Sequence, residues 1–223
     1  MNRQQATTLV FAAVGASVLG FLLRVEPGSS TFYALTFGLA AVWAVGAFAA
    51  GPLHLGRVGD GLYLRQLFGP AVWTWAQGRR PVIIGVGGGV VLATVFVLGG
   101  LLVRELTFLE PLERAIAQVV QFANQGSAPL LLVITVLNGL AEETFFRGAV
   151  FDAVPHRKVV VSTALYVVAT ALTGNVMLAF AAIVIGAVTG YQRLVTGGIL
   201  APMLTHITWS VTMLYALPAI FVA

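Results

Sequence analysis

The stretch from Val82 to Val103, VIIGVGGGVVLATVFVLGGLLV, contains no charged residue. A helix of about 20 apolar residues crosses the roughly 30 Å hydrocarbon layer of a bilayer, so this run reads as a membrane span. Gly87-Gly88-Gly89 sits inside the apolar run and lacks a strand–turn–helix setting, which suits close helix packing better than a phosphate loop. The rest of the chain agrees. Charged residues make up 9% of the 223 residues and apolar residues 59%, against about 25% charged in soluble domains. Further apolar runs place spans at about 7–23, 32–50, 129–151, 158–173, 176–191 and 198–221, giving an all-α polytopic bundle of about seven spans. The first run is long and lacks a small-x-small cleavage site before Pro27, so it is expected to be a retained span.

Charge asymmetry sets the expected orientation. The segment 53–80 carries Arg57, Arg65, Arg79 and Arg80 against Asp60, whereas 104–128 carries Arg104 and Arg114 against Glu105, Glu110 and Glu113. The first is therefore assigned to the cytoplasm and the second to the outside. Alternation then places Arg3, the His156-Arg157-Lys158 turn and Arg193 inside. The expectation is a multi-pass protein with a cytoplasmic N-terminus, in a bacterial or archaeal-type plasma membrane. A net charge of +4 scattered between apolar runs is a topology signal, so nucleic acid is set aside as a partner. The absence of cysteine excludes disulfides, thiol nucleophiles and Cys-ligated metals. Leu62 to Trp75, rich in aromatic residues, suits an interfacial helix or loop or an aromatic belt. Glu110 to Phe122 has the periodicity of an amphipathic segment on the outer face.

Within this apolar chain, Ala141-Glu142-Glu143-Thr144-Phe145-Phe146-Arg147 places two adjacent carboxylates inside a span. A charge at the centre of a spanning helix costs about 2.5–3.5 kcal/mol on insertion scales, so such residues are candidate functional groups. Glu143 and Arg147 are four apart and can pair on one helix face, leaving Glu142 to point elsewhere. Asn138, one turn earlier, is within reach of Glu142. The alternative is helix glue, with Arg147 snorkelling to the surface and Glu143 following it. His206 is the only histidine within a span, and Ser210 follows one turn later on the same face. At about 1.5 Å per residue, Glu142 and Thr170 each lie roughly 18 Å, and His206 about 12–15 Å, from the inner ends of their helices. The three are expected to meet in one layer, in a cavity opening to the cytoplasm. Tyr166 lies one turn before Thr170. A threonine in a membrane helix commonly bonds to its own backbone.

These residues resemble the CPBP family, which comprises CAAX prenyl endopeptidases and bacteriocin-processing enzymes and is also called the Abi family of intramembrane proteases. The resemblance covers about Pro129 to Ala223 and suggests N-terminal helices over 1–128 and a catalytic core over 129–223. The Glu-Glu-x-x-x-Arg motif stands complete as Glu142, Glu143 and Arg147, followed by Gly148. The last motif appears as His206 with Ser210 in place of an amide. It is approached through Gly186, Gly190, Arg193, Thr196-Gly197-Gly198, Ala201-Pro202 and Thr205. The central aromatic-x-x-x-His motif keeps Tyr166 but has Thr170 at the histidine position. The resemblance implies a hydrolase acting on a membrane-associated peptide or protein near the cytoplasmic leaflet. Glu142 would activate water, His206 would donate to the oxyanion, and Glu143 and Arg147 would orient them. It also implies a divalent metal such as zinc, for which Glu142, His206 and Glu143 make an incomplete ligand set. Two other functions fit the same residues: a catalytically silent relative that binds a partner membrane protein, and a proton-coupled transporter using Glu142. The lack of an internal repeat weighs against the transporter.

Overall fold

The computed structural model describes residues 2–51, 53–56, 62–63 and 75–221. Eight helices run through the described residues: α1 (Arg3–Leu22), α2 (Ser30–Ala50), α3 (Trp75–Glu105), α4 (Glu110–Gln125), α5 (Ala128–Ala153), α6 (Lys158–Ala171), α7 (Val176–Thr196) and α8 (Leu200–Phe221). Six of these are long and apolar enough to cross a membrane, and α6 is a shorter apolar helix. With α6 they make an all-α polytopic bundle of about seven spans. Backbone pairing between His54–Gly56 and Leu62–Tyr63 forms a short antiparallel ribbon. The remainder of the proposed interfacial segment, 64–74, lies outside the described residues.

Local chemistry sets the helix ends. Asn2 and Gln5 form a reciprocal capping box on α1, and the Ser29 hydroxyl accepts from Phe32 N at the start of α2. Asn175 caps α7, its side-chain oxygen accepting from Met177 N and Leu178 N. Its amide nitrogen reaches back to the Ala115 carbonyl at 2.8 Å and to Gln118 Oε1 at 2.9 Å, latching the amphipathic α4 onto the bundle. Helix α7 stops at Gly197, whose φ of 72° suits glycine, and the chain turns into α8.

Two packing features position the site. The indole of Trp43, fully buried on α2, packs against Phe145, tilted, and Phe146, edge-on, of α5 with ring centroids 4.8 and 5.0 Å away. Helix α3 lies against α8 through glycines. A Cβ on Gly89 would come within 2.9 Å of the Thr205 carbonyl, and one on Gly85 within 2.9 Å of the Ala201 carbonyl. Gly85 and Gly89 thus form a packing surface for the helix that carries His206. Gly89→Val should lower stability by about 1–3 kcal/mol through overpacking. Thermal unfolding in detergent would check this, and an unchanged midpoint would contradict it.

Candidate active site

The site forms where α5, α6 and α8 meet. Glu143 and Arg147 are both completely buried, with Nε and Oε2 3.3 Å apart, so the pair expected from their spacing is formed within one helix. Burial removes the snorkelling alternative for Arg147. Its guanidinium also lies 4.8 Å from the centroid of the Tyr166 ring, whose π face adds attraction for the cation.

Helix α5 changes its winding at this point. Thr144–Val150 is π-helical, a wider turn that recurs at functional sites. Arg193 of α7 holds it, donating from Nε to the Arg147 carbonyl at 2.8 Å and from one terminal nitrogen to Asp152 at 2.9 and 3.2 Å. The Arg193 guanidinium also faces the Phe151 ring at 5.1 Å. The wide turn therefore has a side-chain clamp as well as its own backbone bonds. Asp152 was not singled out from the sequence. Its signal was a lone acid near the end of an apolar run, opposite a basic residue at the end of another.

His206 lies between the two glutamates. Its Nδ1 is 2.8 Å from Glu143 Oε1, and its Nε2 is 3.9 Å from Glu142 Oε2. Glu143 thus pairs with Arg147 through one oxygen and orients the imidazole through the other. Glu142 accepts a 2.8 Å hydrogen bond from the Tyr166 hydroxyl, so the aromatic residue of the central motif reaches the first glutamate directly. The sequence expectation that Glu142 and His206 share one layer agrees with this contact.

Of three supporting residues, Asn138 makes other bonds than its spacing suggested. Asn138 does not bond Glu142. Its amide nitrogen donates to the Ile134 carbonyl at 2.9 Å and to the Thr36 carbonyl of α2 at 3.4 Å. Thr170 is buried, and its hydroxyl donates to the Tyr166 carbonyl at 2.9 Å, satisfied within its own helix turn. Ser210 lines a cavity together with Glu142 and Asn138.

That cavity, of about 320 Å³, is lined almost wholly by apolar side chains. From Glu142 it extends past Leu19 and Leu22 at the end of α1, Phe32 at the start of α2, Phe122 of α4, and Leu217 and Pro218 at the end of α8. All of these lie at the side of the bundle covered by α4. The cavity therefore runs from the polar layer toward the α4 side of the bundle. Depth matching fixes the layer of the polar groups, but the packing of α4 decides which side of that layer stays unfilled.

The donor set does not fit a zinc ion. Among the described residues no group of three His, Cys, Asp or Glu side chains is arranged to hold a metal. His206 Nδ1 is engaged by Glu143, Glu143 also pairs with Arg147, and the position that would add a second imidazole carries a threonine bonded to its own backbone. Thr170→His should therefore raise zinc affinity above that of the unmodified protein. Equal affinities in calorimetric titrations would contradict this account of the missing ligand.

A polytopic helical membrane protein with a buried Glu–His–Tyr constellation is the class defined by this fold and site. Residues 124–212 match the family described as Type II CAAX prenyl endopeptidase Rce1-like, which supports the resemblance to the CPBP family read from the motifs. No curated protein and no solved structure matches the chain.

Proposed function

We propose that this protein is an intramembrane endopeptidase in which Glu142 activates water to cleave a peptide bond in a membrane-associated protein or peptide. One observation carries the reading. The Glu142 carboxylate, positioned by Tyr166 and close to His206 Nε2, borders an apolar cavity within the bundle. The geometry supports a sequence of steps that needs only the chain's own groups. Glu142 takes a proton from water as hydroxide adds to the substrate carbonyl carbon. Doubly protonated His206 keeps Nδ1–H on Glu143 and turns Nε2–H toward the developing oxyanion, with the Tyr166 hydroxyl beside it. Collapse of the tetrahedral intermediate breaks the C–N bond, and Glu142 returns its proton to the leaving amine. Glu143 and Arg147 act as positioning residues.

The cavity's direction favours access from the α4 side, which the positive-inside rule assigns to the outer face, with the N-terminus in the cytoplasm. The back-bonded Thr170 favours a second reading, in which a silent relative uses the same cavity to hold a partner membrane protein. Reconstituting the protein in vesicles with a quenched apolar peptide separates the two. The proposal expects products that are lost in Glu142→Gln, whereas the second reading expects binding without products.

A further inference from the structure

A second cavity, of about 460 Å³, lies beneath α4 between α3, α7 and α8. Every residue around it is apolar, and the one indole nitrogen among them, that of Trp209, is covered. Its mouth is lateral. Val95 and Leu102 of α3 and Val176 and Phe180 of α7 line the cavity and are also exposed on the outside of the bundle, so the hollow continues into the apolar surface that spanning helices turn toward lipid. Phe96 and Phe180 bridge α3 and α7, with ring centroids 5.9 Å apart, and Leu112 and Ile116 of α4 roof the cavity. Gly99 is also part of the wall. A Cβ there would meet nothing within 4 Å, whereas those at Gly85 and Gly89 would collide with α8, so packing between helices does not require glycine at 99 and its lack of a side chain leaves the hollow open.

The chemistry of the walls decides what can fill this space. An extended peptide would bring main-chain N–H and C=O groups that find no partner there, which is costly in an apolar setting. A helical peptide satisfies its own backbone but is about 10–12 Å across, too wide for a gap bridged by rings 5.9 Å apart. Water needs polar partners that the walls do not offer. A hydrocarbon chain leaves nothing unsatisfied, and lipid chains stand at the mouth at the concentration of the bilayer itself, so that even a weak site is filled. We propose that this cavity binds one acyl chain of a membrane phospholipid, inserted sideways between α3 and α7. The chain lies against Trp209. The same indole meets the His206 ring edge-on, with centroids 6.3 Å apart, and lines the cavity beside Glu142 as well, so the lipid site and the candidate active site share one side chain. The proposal stands whether the protein cleaves peptides or holds a partner.

The test reconstitutes the full chain in phosphatidylcholine vesicles with and without bromine on the acyl chains, since bromine in contact with an indole quenches its fluorescence. The difference between the unmodified protein and Trp209→Phe isolates the Trp209 signal from that of the other tryptophans. Brominated chains should quench this signal. Gly99→Leu, which fills the cavity from a position with room for the side chain, should abolish the quenching. Gly87→Leu should leave it in place, because Gly87 also has open space around it but lines neither this cavity nor the one beside Glu142. The proposal is overturned if the Trp209 signal is not quenched or if quenching persists in Gly99→Leu. It is also overturned if an added short apolar peptide relieves the quenching, which would assign the cavity to peptide. Should either Trp209→Phe or Gly99→Leu fail to fold, native mass spectrometry of the unmodified protein released from detergent decides the matter: a retained phospholipid supports the site, and protein free of phospholipid overturns it. Peptide cleavage is a separate readout. Loss of activity in Glu142→Gln with Trp209 quenching intact keeps the two claims apart.

Discussion

Glu142→Gln is expected to reduce peptide turnover by about 10²–10⁴-fold while leaving fold and membrane abundance unchanged. The amide keeps the shape of the side chain and still accepts the hydrogen bond that the Tyr166 hydroxyl gives Glu142, but it cannot take a proton from water. The loss should fall in kcat more than in KM, because the carboxylate is asked to act in the transition state. Normal turnover in a well-folded variant would remove Glu142 from the chemistry, and the partner-binding reading would become the better account.

Arg147→Ala is expected to destabilise the protein by about 3–5 kcal/mol, the cost of breaking a buried ion pair by removing one partner. Glu143 would be left fully buried with no compensating cation, and His206 would have to answer for its whole charge. Tyr166 would lose the guanidinium under its ring at the same time. Reduced membrane abundance and a lowered unfolding midpoint would show this. Full abundance with activity abolished would instead place Arg147 in direct contact with substrate. Glu143→Gln with Arg147→Ala should recover part of the loss, since the neutral amide no longer needs the cation.

The membrane architecture was legible because lipid as a solvent leaves little freedom: an apolar run of sufficient length must be a helix with its backbone bonds satisfied internally. The boundaries moved by a few residues where capping intervenes, as at Asn175 and Gly197. The Glu143–Arg147 pair was legible from spacing, and the approach of Glu142 to His206 from depth. What remained hidden depends on winding and on contacts between distant helices. The π-helical turn at Thr144–Val150 has no residue signature of its own, and its clamp joins Asp152 to Arg193, which are 41 residues apart in the chain. Asn138 was assigned to Glu142 because one turn separates them, yet a carbonyl of α2 lies within reach of its amide, and nothing in local spacing announces a neighbouring helix. The extent of the cavity was hidden for a similar reason. Its walls come from α1, α2, α4, α5, α7 and α8 together.

The most direct measurement of the central claim is a comparison of new protein N-termini in membranes containing the unmodified protein and in membranes containing Glu142→Gln at equal abundance. The account predicts N-termini that arise within or next to apolar segments of membrane proteins, present only with the unmodified protein and unchanged by Gly87→Ala, a substitution at a glycine with open space around it. Identical sets of N-termini in the two membranes would contradict it.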